Sequence, residues 1–116
     1  MNAVARHADR RLARLIEFYE TLSPAALARL PELYAPDAHF KDPFNEVQGP
    51  AAIEAVFRHM YRTLEGPRFV VQRAAVDGRD AFLSWRFLFG LRRDEPGRER
   101  CIRGATHLEF DASGRV

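Results

Sequence analysis

The chain has 116 residues, 47% apolar and 11% aromatic with nine Phe, which suits a single domain built around one core. Eighteen Lys and Arg against 16 Asp and Glu leave a net charge of +2, too small an excess to argue for nucleic acid. No run approaches the roughly 18 apolar residues of a membrane span, no secretory h-region opens the chain, and the single Cys101 excludes an intrachain disulfide. A reducing compartment, the cytoplasm, is the expected setting.

Leu12, Leu15, Ile16, Tyr19 and Leu22 recur at helical spacing and predict a first helix over roughly residues 8 to 22. Ser23-Pro24 reads as an N-cap followed by Pro at N1. The second helix then carries Leu27, Leu30, Leu33 and Tyr34, and Pro31 inside it should kink or split it. Residues 37 to 42 form a short strand. Gly49-Pro50 opens a third helix with the stripe Ile53, Val56, Phe57, Met60 and Leu64, and Gly66-Pro67 is expected to stop it.

From there the pattern changes to strands. Arg68 to Val76, Ala81 to Arg92 and Arg100 to Phe110 are predicted strands, separated by turns at Asp77-Gly78 and Asp94-Glu95-Pro96-Gly97. A last turn, Asp111-Ala112-Ser113-Gly114, promises a further strand of which only Arg115 and Val116 are supplied. Helices first and a long antiparallel meander afterwards define an α+β domain, residues 1-116, with helices on one face of the sheet and its last strand expected to be lacking. Alternation turns Leu83, Trp85, Phe87, Phe89 and Leu91, and Ile102, Gly104, Thr106, Leu108 and Phe110, toward the helices. Thr106 is then the one hydroxyl in those inward rows.

Asp42 closes Ala38-His39-Phe40-Lys41-Asp42, directly before Pro43. Alternation aims it the same way as Phe40, as an acid entering an apolar space, where burial would suit a proton carrier. The alternative is that it caps a turn, since Asp before Pro is a common turn signal.

The segments Leu33-Tyr34-Ala35-Pro36-Asp37-Ala38-His39-Phe40-Lys41-Asp42-Pro43, Gly49-Pro50-Ala51-Ala52-Ile53 and Thr106-His107-Leu108-Glu109-Phe110-Asp111-Ala112-Ser113-Gly114-Arg115-Val116 resemble the nuclear transport factor 2-like superfamily, in its SnoaL-like and ketosteroid isomerase-like branch. The resemblance implies a cone: a curved antiparallel sheet with three N-terminal helices packed on its concave face. It also implies Asp42 as general base and Tyr19, on the inward face of helix 1, as donor to the substrate oxygen. Where the isomerases carry a neutral acid assisting the oxyanion hole, this chain has Thr106. A threonine is the weaker donor, and loss of one oxyanion donor costs about two to three orders of magnitude in rate.

The expected function is therefore a small-molecule pocket protein of isomerase, cyclase or dehydratase type, acting by enolisation on an apolar carbonyl compound. Asp42 and Tyr19 are its catalytic pair, and Thr106, Trp85, Phe40, Phe57, Met60 and Phe87 line the substrate. The alternative is a non-catalytic ligand-binding or dimerisation module of the same fold. No cofactor is expected, and no metal, because His7, His39, His59 and His107 have no ligand spacing. Cys101 has no His near it in sequence to activate a thiol. The Arg clusters at residues 6 to 14 and 92 to 103 read as solvated faces. Phe82, Leu88 and Ala105 on the outer sheet face point to a homodimer.

Overall fold

The computed structural model describes residues 8–116. His7 and Arg6 lie outside the described residues. The elements are α1 (Arg10–Glu20), a 3-10 turn (Ala25–Arg29), α2 (Leu30–Leu33), β1 (His39–Lys41), β2 (Glu46–Gln48), α3 (Pro50–Thr63), β3 (Glu65–Asp77), β4 (Asp80–Gly90) and β5 (Arg100–Glu109). The expected α+β class is the observed one, with β1 and β2 as a small antiparallel ribbon and β3-β4-β5 as an antiparallel meander.

Asp9 starts α1 by accepting from the backbone N–H groups of Arg11 and Leu12, which satisfies donors the first turn cannot. The buried face of α1 is broader than the predicted stripe, since Phe18 is buried together with Leu12, Leu15 and Ile16. Ser23 Oγ accepts from Ala26 N at 3.2 Å and begins the 3-10 turn. Pro31 then divides the predicted second helix, leaving α2 as a single turn.

Three boundaries differ from expectation. Gly66-Pro67 does not separate α3 from the sheet: Leu64 already has extended geometry, and β3 runs through both residues. A register shift between Glu65 and Arg68 absorbs the proline, because a bulge asks no ladder hydrogen bond of it. The strand predicted over 37 to 42 is half of a hairpin whose second half, β2, was not foreseen. The third predicted strand ends at Gly90 rather than Arg92.

Helices α1 and α3 both pack on β3, and Glu20 Oε2 accepts from Val71 N at 3.0 Å where α1 meets that strand. The core of Leu12, Ile16, Leu27, Leu30, Ile53 and Val71 lies in that layer. Coverage fades toward β5, so Ile102, inward by alternation, is 52% exposed and Thr106 is exposed as well. Leu88, outward by alternation, is buried instead; its cross-strand partner Arg68 is held by Glu99 at 3.1 Å. After β5 the predicted turn forms, with Asp111 Oδ1 accepting from Ser113 N and Arg115 N. Val116 then donates to Leu33 O at 2.9 Å and accepts from Ala35 N at 2.8 Å, gripping the backbone on both sides of Tyr34.

Asp9→Ala should destabilise the fold by about 1 kcal/mol, the usual worth of such a cap. The Arg11 guanidinium, helped by the first-turn amides, lowers the Asp9 carboxyl from 3.8 to about 2. A depressed folded-state pKa stabilises above the unfolded value and loses that effect as pH falls through the folded one. Urea unfolding should thus separate parent and variant near neutral pH and bring them together near pH 2; a gap that persists there would contradict the assignment.

Candidate functional site

Tyr19 leaves α1 on its inner side and its hydroxyl is hydrogen-bonded to that of Tyr34, at the end of α2. Two phenols meet because each is withdrawn from water and needs a partner for its O–H. Burial pushes Tyr19 up to about 12, offset in part by the Tyr34 hydrogen bond, and raises Tyr34 further. Both are therefore neutral donors at physiological pH. When Tyr34 donates to the Tyr19 oxygen, the Tyr19 proton is free for a third group.

Aromatic rings extend from Tyr19 in two directions. Its ring centroid lies 6.0 Å from Phe57 of α3, which lies 6.1 Å from Phe40 of β1. On the sheet side it lies 5.6 Å from Phe69 of β3, edge to face, and Phe69 is 4.7 Å from Phe87 and 5.7 Å from Trp85. Expected site residues Phe40, Phe57, Phe87, Trp85 and Tyr19 thus form one continuous aromatic surface. Met60, one turn from Phe57 on α3, packs half-buried against the same core.

Asp42 stands apart from that network. β1 stops at Lys41, so alternation does not carry into Asp42, which opens the hairpin turn as the turn alternative expects. Its Oδ1 accepts from Phe44 N at 2.8 Å, Asn45 N at 2.7 Å and Asn45 Nδ2 at 3.1 Å. Its Oδ2 holds one contact, to the same Nδ2 at 3.2 Å, and so has more free lone-pair capacity. None of these hydrogen bonds joins Asp42 to Tyr19.

Thr106 lies on the exposed part of the inner face and accepts from Trp85 Nε1 at 2.9 Å. The indole lies over Gly104, its cross-strand partner; a Cβ there would come within 2.4 Å of the ring. Gly104 therefore lets the Trp85 ring lie flat on β5. Two participants were not anticipated as site residues, Tyr34 and Phe69. Tyr34 was visible as one more apolar position in the second helix, and Phe69 would have emerged from sorting its strand by alternation.

His39 contacts Glu46 at 3.2 Å and His107 contacts Asp80 at 2.8 Å. Among the described residues, no three His, Cys, Asp or Glu side chains are grouped to hold a metal ion, and no helix is long and apolar enough to cross a membrane.

Comparison with known proteins agrees with this architecture. Residues 15–116 match the SnoaL-like domain, and the chain belongs to that family. A Catenulispora acidiphila protein with a ketosteroid isomerase-like fold, crystallised with trimethylamine, aligns at TM-score 0.74 and 14% identity over 92% of this chain and 80% of that one. A nuclear transport factor 2-like protein of unknown function from Burkholderia pseudomallei aligns at TM-score 0.77 and 16% identity, over 92% and 85%. An LEH-like epoxide hydrolase from M. tuberculosis aligns at TM-score 0.68 and 13% identity, over 91% and 70%. At such identities the likeness is one of fold. No curated protein matches the sequence.

Raised phenol pKa values make folding favourable below the unfolded-state value near 10 and progressively less so above it. An absorbance titration of the native chain should show Tyr19 ionising near pH 12 or only with unfolding. Phenolate from Tyr19 appearing near pH 10 in the folded protein would contradict the buried pair.

Proposed function

We propose that this protein binds a small apolar carbonyl compound against the Tyr19 aromatic surface and enolises it, as an isomerase, cyclase or dehydratase resembling the ketosteroid isomerases. The observation that carries this reading is the protonated Tyr19 phenol, backed by Tyr34 and set among Phe57, Phe69 and Phe40. Apolar rings hold the carbon skeleton, and a neutral phenol in a low-dielectric setting is a strong donor to a carbonyl oxygen that is gaining negative charge.

In the proposed step Asp42 Oδ2 takes a proton from the carbon beside the carbonyl. The C–H pair moves into the new C=C bond, and the carbonyl π electrons move onto oxygen, where Tyr19 donates a hydrogen bond. An isomerase then returns the same proton from Asp42 to another carbon, regenerating the carboxylate. The hydrogen bonds to Oδ1 orient the carboxylate and leave Oδ2 for the proton. Trp85 and Thr106 supply the outer rim.

Asp42→Asn should abolish turnover of a β,γ-unsaturated ketone with ligand affinity largely retained, and Tyr19→Phe should lower the rate by about two to three orders of magnitude. Unchanged turnover by Asp42→Asn would remove Asp42 from the mechanism. The second reading, a non-catalytic ligand-binding module, is favoured by one observation: Asp42 is engaged by its own turn and by no residue of the aromatic surface. Saturable ketone binding by the unsubstituted chain, with no turnover, would select that reading.

The outer sheet face is proposed as a homodimer surface. Phe82 is 47% exposed there and stacks on His107 at 4.7 Å. Light scattering at micromolar concentration should give twice the chain mass, and Phe82→Glu should shift it to monomer; a monomeric parent chain would refute the proposal.

A further inference from the structure

On the outer sheet face, β4 and β5 set their side chains in register as a series of rungs: Asp80 beside Glu109, Phe82 beside His107, Ser84 beside Ala105, and Arg86 beside Arg103. Alternation keeps these side chains on one side of the sheet. Along the strands the rungs therefore read acidic, bulky, small, basic. Phe82 and His107 stack with ring centroids 4.7 Å apart, whereas Ser84 and Ala105 leave the next rung low. On β3, Asp77 extends the acidic rung and Arg73 lies beside Ser84.

Both charged rungs bring like charges together, which destabilises a strand pair unless a counter-charge is near. The acidic rung has partial relief: Asp80 contacts His107 at 2.8 Å and Glu109 contacts Arg79 at 3.3 Å, in exposed pairs that hold weakly in water. Arg86 and Arg103 make no ion pair among the described residues. Guanidinium groups stay charged at any physiological pH, so that rung needs an anion from outside the chain.

We infer that the second copy supplies it, with the two outer faces stacked so that the strands of one copy run opposite to those of the other. A two-fold axis across the strands, between the Phe82 and Ser84 rungs, turns the series end to end. Asp80 then meets Arg86 of the second copy and Glu109 meets its Arg103, while the bulky Phe82–His107 rung settles on the low Ser84–Ala105 rung. Charge and size are both matched by the same operation, as a self-complementary interface requires. An axis along the strands would instead set Arg86 against Arg86 and Phe82 against Phe82. An anionic polymer would relieve the arginines but would lie against the acidic rung and leave Phe82 in water. This orientation presupposes the homodimer proposed for the same face and depends on neither Asp42 nor Tyr19.

The test is sedimentation equilibrium of the full chain and of two charge reversals at exposed positions, Arg103→Glu and Glu109→Arg. Each variant alone sets like charge against like charge across the interface, so its dimer dissociation constant should rise at least about tenfold. An equimolar mixture should return to within about threefold of the parent, because opposite charges face each other again in the mixed dimer. A monomeric parent would overturn the orientation together with the homodimer. A dimeric parent that tolerates both variants, or variants that stay apart when mixed, would overturn the orientation and leave the homodimer standing. The parent also offers a check without substitution. Between about 0.1 M and 1 M salt the screening length falls from roughly 10 Å to about 3 Å, and the dimer should weaken severalfold; a constant that ignores salt would overturn the orientation as well.

Discussion

The hydrogen bond between Tyr19 and Tyr34 organises the interior of this protein. One phenol comes from α1 and the other from the extended residue that ends a single helical turn. Neither has water to turn to, so each fixes the other. Val116 reinforces the arrangement by bonding the backbone at Leu33 and Ala35, on both sides of Tyr34. A polar contact at the centre of an apolar layer thus depends on three stretches of chain that are distant in sequence.

That dependence explains what could be read in advance. Helices α1 and α3 were legible because their apolar residues repeat with the helical period over three or more turns, and the meander because its turns carry Asp-Gly and Pro-Gly signals. β2 was not, since three residues, Glu46 to Gln48, are too few to show alternation. The partner of Tyr19 was hidden for a related reason. Pro31 and the 3-10 turn break the phase of the second helical segment, so nothing local states which way Tyr34 points.

Alternation assigned the faces of β5 correctly but could not tell how far the helices reach across them. Ile102 and Thr106 lie on the same face as Leu108, yet only Leu108 is buried, because α1 and α3 pack on β3 at the opposite side of the sheet. Asp42 carries a similar lesson. The residue type and its place before Pro43 suited both an acid and a turn cap, and the hydrogen bonds to Phe44 and Asn45 show that the capping geometry is occupied whatever else the carboxylate does.

The chain contains one tryptophan, and it lies flat over Gly104 at the open rim of the inner face, in edge contact with Phe69. Its fluorescence therefore comes from a single, defined place. Under the proposed function, a compound bound against these rings would change the surroundings of that indole, so its emission would report occupancy directly, without a dye or an attached label.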